Sequence, residues 1–534
     1  MQADLVLYHG NIHTMDATMP RAQAIAIAGN RVLATGSDAE IRALLAPDGE
    51  AVDLRGRTVV PGFTDCHLHF MSYGLSLKEI DLAGVPTLEE ALARVAARAA
   101  ETPAGHWLKG RGWDHSLWAG GAFPTREDLD RVAPEHPVFL ERKCGHAGWA
   151  NSRALELAGI TAETPDPPGG AIDRHPVTGQ PTGILRENAM HLITSLLKEP
   201  ALEEAVEAIK AGMANAHKQG LVGIHTMEGA PALRAFQQLR ATGELKLRVL
   251  MQIPEENLAA AIQVGLRSGL GDERLRIGGV KVFSDGALGA HTAYMLAPYA
   301  DDPDNYGIAV ATAEHLREVV GQASRAGIAA FIHAIGDRAN RQVLDAIEAS
   351  RRAGEGLHLR HRIEHVQIIH PDDMPRLARL GVIASMQPIH ATQDMLLADA
   401  LWGARCAGAY AWRSLLDAGA VLAFGSDSPV EDLSVLKGIH AAVTRRRADG
   451  SPGPDGWYPE QRLSVAEAVY AYTAGAAYAS GEEAIKGTLS PGKLADLVVL
   501  SQDIFTVDPM AILDTEVVAT MFDGEFVYSR QDMQ

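Results

Sequence analysis

The sequence has 534 residues and a mass of 57.0 kDa, enough for several domains or for one large barrel with additions. Its 47% hydrophobic content and mean hydropathy of −0.04 are typical of a globular protein and argue against disorder. A net charge of −19 disfavours nucleic acid as a partner, because phosphate backbones are also negative. The sequence contains no apolar run long enough to span a membrane.

The N-terminal residues and the cysteines together predict a cytoplasmic location. The start of the sequence, MQADLVLYHGNIHTMD, lacks a basic stretch followed by an apolar one, so we expect no secretory signal. The cysteines are Cys66, Cys144 and Cys406, an odd and sparse set for this length. Such a set is typical of a reducing compartment without a disulfide framework.

Both ends of the chain read as short strands joined by turns. Residues 1–58 contain alternating segments such as ADLVLYH, separated by Gly–Asn pairs. Residues 485–534 carry similar segments, among them LVVL and FVY. We therefore predict one small β-sandwich to which both termini contribute.

The middle of the chain, residues 59–484, alternates short apolar runs with helical stretches. Alternation of this kind predicts a parallel sheet, and eight repeats predict a (β/α)8 barrel in a protein of the α/β class. The candidate barrel strands are Val59–Thr64, Val222–His225, Arg248–Ile253, Ile277–Phe283, Ala329–His333, Leu359–His365, Val382–Met386 and Val421–Gly425.

A long insertion follows the first candidate strand. Residues 71–200 exceed any normal loop between a strand and a helix, and they are rich in Trp, Pro and Gly. We predict a lid or specificity region. Trp113 in GRGWDHSLW is a candidate for contacting substrate, although such an aromatic side chain also packs readily into a core.

Histidine, lysine and aspartate side chains end several of the candidate barrel strands. His67 and His69 in PGFTDCHLHF lie two residues apart, so in a strand both imidazoles share one face. Taken alone, a pair of this kind is more often two ordinary histidines than a metal site. The other side chains at strand ends are Lys281 in GGVKVFSDG, His333 in FIHAIGD, His365 in RIEHVQ and Asp427 in FGSDSPV.

Each of these residues also has an ordinary structural interpretation. Lys281 fits a strand rim with its charge in water, His333 and His365 fit hydrogen-bonded rim positions, and Asp427 fits a turn or a helix cap. Their joint placement is the stronger signal, because the active sites of such barrels lie at the C-terminal ends of the strands, here called the barrel mouth. Nitrogen and oxygen ligands that converge there predict a shared divalent metal site.

These segments resemble the metal-dependent amidohydrolase superfamily, in particular its branch of N-substituted formamide deformylases. The resemblance covers nearly the whole chain, from PGFTDCHLH through GVKVFSDGALGAHTA, IHAIGDRAN, RIEHVQ and FGSDSPV to GTLSPGKLADLVVL. It implies a (β/α)8 barrel beside a β-sandwich built from both termini. It also implies a metal-dependent amidohydrolase that acts on carbon–nitrogen bonds other than peptide bonds.

The resemblance also implies roles for the residues at the barrel mouth. His67 and His69 would bind one divalent ion, usually Zn²⁺, which Asp427 would also contact, and His333 and His365 would bind a second. Lys281 falls where family members carry a carbamylated lysine, and two ions are expected with that modification and one without it. A metal-activated hydroxide would attack the substrate, with Asp427 as general base.

Further candidates for substrate contact are weaker. His146 and Glu187 lie in inserted segments that resemble the branch, and their role depends on that resemblance alone. Asp285 follows Lys281, where support of a ligand and contact with substrate are both open. Gln387 follows the seventh candidate strand and is expected within reach of the barrel mouth.

Two alternatives to amide hydrolysis are considered. Deamination on the same barrel is disfavoured, because the related aminohydrolases use a glutamate shortly after the fifth-strand histidine, and HAIGD offers an aspartate. A non-catalytic binding or scaffold protein is disfavoured, because all six expected ligand positions are filled. The expected partner is a small-molecule substrate, with no nucleic acid and no membrane, and the formation of a homodimer stays open.

Overall fold

The N-terminal segment folds into short strands, as its alternating sequence predicts. The computed structural model describes residues 2–143, 145, 147–168, 170–197 and 199–531. The first elements are β1 (Ala3–Tyr8), β2 (Asn11–His13), β3 (Arg21–Ala22), β4 (Ala24–Ala28), β5 (Arg31–Gly36), α1 (Asp38–Arg42), β6 (Leu45–Asp53) and β7 (Thr58–Pro61).

The barrel begins with β8 (Phe63–Leu68), and the insertion follows it with a sheet of its own. The insertion's strands are arranged in the order β13-β14-β12-β11-β10-β9. Residues Met71–Ile209 form one compact unit, and the other described residues form a second. The elements of the insertion are α2 (Phe70–Ser76), β9 (Ile80–Asp81), α3 (Leu88–Glu101), β10 (Leu108–Trp113), α4 (Arg126–Val132), β11 (Val138–Arg142), β12 (Ala147–Ala150), α5 (Ser152–Leu157), β13 (Gly170–Arg174), β14 (Pro181–Glu187) and α6 (His191–Thr194).

After the insertion, strands and helices alternate, and the strands form one parallel sheet. Its order is β21-β20-β19-β18-β17-β16-β15-β8, which confirms the predicted barrel of eight strands. The elements are α7 (Leu202–Lys218), β15 (Leu221–Thr226), α8 (Ala230–Ala241), β16 (Arg248–Pro254), α9 (Leu258–Gln263), β17 (Leu275–Phe283), α10 (Ala313–Ala326), β18 (Ala329–Ala334), α11 (Asp337–Arg352), β19 (Arg362–His365), α12 (Met374–Leu380), β20 (Ile383–Met386), α13 (Pro388–Trp402), α14 (Trp412–Asp417), β21 (Leu422–Phe424) and α15 (Val435–Thr444).

The two edge strands of the barrel sheet meet at its mouth. The backbone N–H of Asp427 donates to the carbonyl of His67 over 2.7 Å, and that of His69 donates to the carbonyl of Ser428 over 2.8 Å. These bonds join the residues that follow β21 to β8 and the residue after it. Closure of the barrel therefore brings Asp427 next to the His67–His69 segment.

The C-terminal strands complete the β-sandwich with the N-terminal ones. The chain ends with α16 (Val465–Tyr472), α17 (Ala474–Ser480), β22 (Leu497–Leu500), β23 (Val517–Phe522) and β24 (Glu525–Ser529). The two sheets have the orders β5-β4-β1-β6 and β24-β23-β22-β7-β2-β3, and β22 pairs antiparallel with β7. Side chains from both sheets, including Leu7, Ile25, Val499 and Met521, share one apolar core.

The first candidate barrel strand, Val59–Thr64, is divided between two sheets. Its first half belongs to β7 of the sandwich and its second half to β8 of the barrel. Gly62 lies at the division, where an added Cβ would come within 2.4 Å of Val222 Cγ2. There is no room for a side chain where the chain crosses from one sheet to the other. The sequence does not reveal this boundary, because the apolar run continues across it. None of the described helices is long and apolar enough to cross a membrane.

Candidate metal centre

The six predicted metal ligands lie at the C-terminal ends of barrel strands. Parallel strands bring these ends together at one mouth. The residues and their strands are His67 on β8 and His69 directly after it, Lys281 on β17, His333 on β18, His365 at the end of β19, and Asp427 shortly after β21.

A carboxylate and several imidazoles converge in the centre of this mouth. Ligand atoms of His67, His365 and Asp427 all lie within 4.8 Å of one another. Asp427 Oδ1 is 3.5 Å from Nε2 of His67 and 3.5 Å from Nε2 of His69. The ring of His365 is 4.6 Å from that of His67 and 4.5 Å from that of His333, measured between centroids.

Hydrogen bonds fix the orientation of the two histidines from β8. The Nδ1–H of His67 donates to Glu364 Oε2 over 2.6 Å, and the Nδ1–H of His69 donates to the carbonyl of Met227 over 3.1 Å. Both acceptors lack a proton to give, so each imidazole carries its hydrogen on Nδ1 and its lone pair on Nε2. Each Nε2 faces Asp427, which is the arrangement that metal-binding histidines require.

Hydrogen bonds also fix the histidines of β18 and β19, but through different ring nitrogens. The Nδ1–H of His365 donates to Gln387 Oε1 over 2.8 Å, which leaves the lone pair on Nε2. The Nε2–H of His333 donates to the carbonyl of Gly286 over 3.0 Å, which leaves the lone pair on Nδ1. With four oriented imidazoles and one carboxylate, the donor set of this mouth fits a divalent metal that prefers nitrogen and oxygen ligands.

Burial keeps three of these imidazoles neutral, whereas the pKa of His69 is raised above its usual value, because the adjacent Asp427 carboxylate outweighs burial. Burial, together with the positive charge of Lys281, lowers the pKa of His67 to about 4 and that of His333 to about 3. The pKa of His365 is also well below its usual value, chiefly because the side chain is buried. At neutral pH these three side chains are therefore already in the form that binds metal.

Lys281 lies beside a cavity at the mouth. Its side chain is buried, and burial lowers the pKa of its amine to about 8. The amine nitrogen is 4.8 Å from the centroid of the Phe283 ring. The cavity has a volume of about 570 Å³, within the range of small-molecule sites, and Lys281 and Phe283 line it together with residues of β16 and of the segment after β15.

The family model described as "Amidohydrolase family" matches residues 50–528. The chain belongs to the amidohydrolase family. It is a metal-dependent hydrolase, and this membership favours the enzyme prediction over the scaffold alternative. Hydrolases of this family act on small molecules, as the sequence predicted.

Relatives similar to this amidohydrolase extend over nearly its whole length. Protein LONG AFTER FAR-RED 3 of Arabidopsis thaliana is 35% identical, over 98% of this chain and 92% of its own. N-substituted formamide deformylase of Arthrobacter pascens is 31% identical, over 99% of this chain and 98% of its own. A solved structure of an uncharacterized metal-dependent hydrolase from Pyrococcus horikoshii OT3 is 31% identical, with a TM-score of 0.80 over 95% of this chain and 99% of that one.

Sequence reasoning missed the ion pair that supports His67. Arg362 Nε and Nη2 donate to the two oxygens of Glu364 over 2.9 and 3.0 Å, and both side chains are fully buried. Burial alone would raise the pKa of Glu364, but Arg362 and His67 lower it well below its usual range. The signal was present in RIEHVQ, because two opposite charges two residues apart in a buried strand share a face and must pair.

Asp65 is a second residue that the sequence analysis overlooked. Its carboxylate accepts hydrogen bonds from the backbone N–H of His67 over 3.0 Å and of Ser426 over 3.1 Å. It therefore ties β8 to the segment that carries Asp427. Burial raises the pKa of Asp65 to about 7. In TDCHLH, Asp65 shares the inward face with both histidines, and Cys66 between them packs in an apolar cluster, as predicted.

Two predicted substrate contacts of the barrel have other partners in this amidohydrolase. Gln387 is buried, and its Oε1 accepts the hydrogen bond from His365, so it orients a candidate ligand. Asp285 is buried and accepts backbone N–H bonds from Tyr294, Ile335 and Gly336 over 2.9, 3.0 and 2.8 Å. These three bonds hold the loops after β17 and β18. Asp285 Oδ1 also lies 3.6 Å from Nε2 of His333, so of the two roles left open, support of a candidate ligand is the one that its contacts favour.

Three substrate contacts were predicted in the insertion, at Trp113, Glu187 and His146. Trp113 is fully buried, and its Nε1–H donates to the carbonyl of Leu140 over 2.8 Å. It packs in the insertion's own core, which corrects the expected substrate contact. Glu187 is exposed at the end of β14, and its role stays a prediction. His146 lies outside the described residues.

Proposed function

We propose that this amidohydrolase hydrolyses an amide-like C–N bond in a small molecule, with Asp427 as general base. The observation that carries the proposal is the buried Asp427 carboxylate, which lies 3.5 Å from the Nε2 atoms of two oriented histidines. Burial alone would raise the pKa of Asp427, but the neighbouring histidines, His69 and His67 among them, hold it well below its usual range. The carboxylate is therefore ionised and able to accept a proton.

The proposed metal ligands are the six residues at the barrel mouth. His67, His69 and Asp427 would hold one ion, His333 and His365 would hold a second, and Lys281 would lie between them. Zn²⁺ is the expected ion, because imidazole nitrogens and carboxylate oxygens are its usual ligands. When bound, such ions supply Lewis acidity, which acidifies water and polarises a carbonyl group.

Lys281 takes part in this set only in a modified form. An ammonium group has no lone pair, so it cannot bind metal. Because burial lowers the pKa of Lys281 to about 8, a substantial fraction of its amine is neutral near pH 7.5. The neutral nitrogen would attack the carbon of CO₂ and release one proton to water, which yields a carbamate whose single negative charge is shared by two oxygens. We propose two ions per chain with this carbamate and one without it.

The chain's own residues then move the proton. Asp427 takes it from the attacking water and delivers it to the leaving nitrogen, because expulsion of an unprotonated amine anion is prohibitively costly. Glu364 holds His67 in place through the bond to Nδ1, and Arg362 holds Glu364. The cavity of about 570 Å³ beside Lys281 would hold the substrate.

A hydrolysis screen with metal analysis tests the proposed function. The panel would contain N-substituted formamides, N-acyl amino acids, carbamates and lactones, with formamides first because one relative is named for deformylating them. We expect C–N hydrolysis that disappears with a chelator and returns with Zn²⁺. Protein with both sites loaded that cleaves lactones but no C–N bond would contradict the proposal, and so would hydrolysis that survives complete metal removal.

A further inference from the structure

One buried side chain of the barrel borders the cavity and leaves its hydrogen-bonding capacity unused among the described residues. Gln252 on β16 is 1% exposed, and neither its Oε1 nor its Nε2 has a hydrogen-bond partner among the residues that the structure describes. Leaving a buried polar group unpaired costs about 1–3 kcal/mol. An amide with both ends unpaired inside a barrel strand therefore points to a molecule that supplies the missing partners.

The position of Gln252 places it within reach of a bound substrate. Gln252 and Lys281 line the same cavity of about 570 Å³. Their strands are neighbours, since Pro254 of β16 is paired in register with Lys281 of β17. Gln252 is not one of the six proposed ligands, so it is available to contact the part of the substrate that does not react.

The other walls of the cavity indicate which chemical groups fit there. Glu228, Glu255 and Glu256 line it with three carboxylates, and His315 pairs with one of them, Glu255. A substrate carboxylate near these groups would meet charge of its own sign. Phe283 and Val310 add apolar wall, with 47% and 58% of their surfaces exposed.

We propose that Gln252 is a specificity-determining residue that binds an adjacent C=O and N–H pair on the substrate. Its Nε2–H would donate to the carbonyl and its Oε1 would accept from the N–H, as occurs between two amide groups. The substrate class is therefore an N-acylated compound with a neutral carboxamide, ureido or lactam tail, and tails that end in a carboxylate are disfavoured. This inference rests on the proposed function for the reaction, but tail recognition is separable from it.

Three size-matched formamides test the recognition of the tail. N-formylglycinamide carries the amide pair, N-formylglycine carries a carboxylate, and N-isobutylformamide carries an apolar isostere; each is also used with one further methylene in the spacer. Binding to wild-type protein is measured by calorimetry, and kcat and KM are measured with zinc-loaded enzyme. We expect the amide tail to be favoured over both others by about 10- to 100-fold, because a buried amide gains partners only from that tail.

Substitution of Gln252 should remove this preference. In Gln252→Leu, which is similar in volume, we expect the three tails to bind within about threefold of one another, with the change in KM rather than in kcat. Gln322→Leu is the matched control, because Gln322 is a half-buried glutamine of α10 that bonds only to Glu318 among the described residues. Metal content and circular dichroism should match wild type in both variants. If Gln252→Leu does not fold, Gln252→Asn retains the amide but shortens its reach by one methylene, and we again expect the preference to fall.

Each result decides between the two proposals. A wild-type protein that binds the three tails equally or binds none of them, or a Gln252 variant that keeps the full preference, overturns the recognition site. Binding that favours the amide tail without hydrolysis of any panel compound by zinc-loaded enzyme overturns the proposed function and leaves the recognition site standing.

Discussion

The barrel mouth and the core of the insertion both bury side chains with hydrogen-bonding groups, but these groups are paired to different extents in the two regions. In the insertion, the Nε1–H groups of Trp113, Trp118 and Trp149 each donate to a backbone carbonyl, over 2.8, 3.0 and 2.8 Å. At the mouth, each histidine uses one ring nitrogen and directs the other toward its neighbours, and Gln252 has no partner among the described residues. The buried indoles of the insertion are fully paired within the fold, whereas the buried polar groups at the mouth keep hydrogen-bonding capacity that a ligand could use.

Because of this contrast, we expect substitutions in the two regions to have different effects. A substitution at the mouth should reduce metal content or turnover and leave the fold intact, because the side chains there are held by their own hydrogen bonds. A substitution in the core of the insertion should reduce stability and leave the metal content intact, because the predicted ligands all lie in the other unit.

The largest effect is expected from Lys281→Ala. If Lys281 carries the proposed carbamate, its removal would leave the two proposed divalent cations to repel each other by several kcal/mol or more at an effective dielectric constant of about 20. Metal content measured by mass spectrometry should fall from about two ions per chain to one or none, and activity should collapse. Acetate or propionate at high concentration should restore part of both. Lys437→Ala is the matched control, because Lys437 is an exposed lysine paired with Asp432.

One result with the wild-type enzyme would contradict the proposal of two ions per chain. Wild-type enzyme with one ion, full activity and a bare Lys281 amine in a carbon-13 spectrum with labelled bicarbonate would contradict the carbamate. The proposal of C–N hydrolysis would survive that result, because one oriented set of histidines with Asp427 still fits one ion.

Trp113→Ala should be the most destabilising change in the insertion. Trp113 is fully buried, with ring centroids of Trp118 and Trp149 at 6.1 and 6.0 Å. Removing a buried aromatic side chain of this size costs about 3–5 kcal/mol. Urea unfolding should reveal a weakened transition for the insertion, and Trp113→Phe should lose less. Metal content per folded chain should stay at the wild-type value; a loss of metal in folded protein would contradict the separation of the two regions.

The same contrast explains how far the sequence could predict this molecule. Strand-end residues such as His67, Lys281 and Asp427 could be found because a parallel barrel brings the ends of its strands together, whichever strand carries them. The alternation of Asp65, His67 and His69 on one strand face was also readable. The fold class followed from the same periodicities, and the barrel with its two-ended sandwich is confirmed.

Side-chain partners could not be predicted in the same way. Trp113 and Gln387 were both expected to contact substrate, yet one is paired with Leu140 and the other with His365. Sequence position places such residues near a mouth or in a loop, but their hydrogen bonds depend on which groups the fold brings beside them. Gln252 gave no signal at all, since a glutamine in an apolar strand becomes informative only when the fold shows that its amide is unpaired and that the residue borders a cavity.

Asp427→Asn should lower kcat by about 10²-fold or more while most of the metal remains bound. An amide of the same volume can occupy the position but cannot accept the proton from water. Steady-state kinetics on the best substrate of the screen, together with metal analysis, measures both quantities. Asp432→Asn is the matched control, because Asp432 is an exposed aspartate near Asp427 in the chain. Near-wild-type kcat in Asp427→Asn would exclude this residue as the general base.

The smallest and most diagnostic effect is expected from Gln387→Leu. The substitution removes the acceptor of the His365 Nδ1–H bond, and the loss of such a partner typically costs 10- to 100-fold in metal affinity, so we expect about that decrease. The metal-free protein should not lose stability to the same degree, because Gln387 Nε2 is itself a buried donor without a partner among the described residues, and leucine removes that cost. Gln387→Glu is the matched control, since a carboxylate oxygen can still accept the bond and should retain most of the affinity. Competition with a chromogenic chelator measures metal affinity, and urea unfolding measures stability. A fall in stability with unchanged metal affinity would be the behaviour expected of a core residue, and it would place Gln387 with Trp113 rather than with the site.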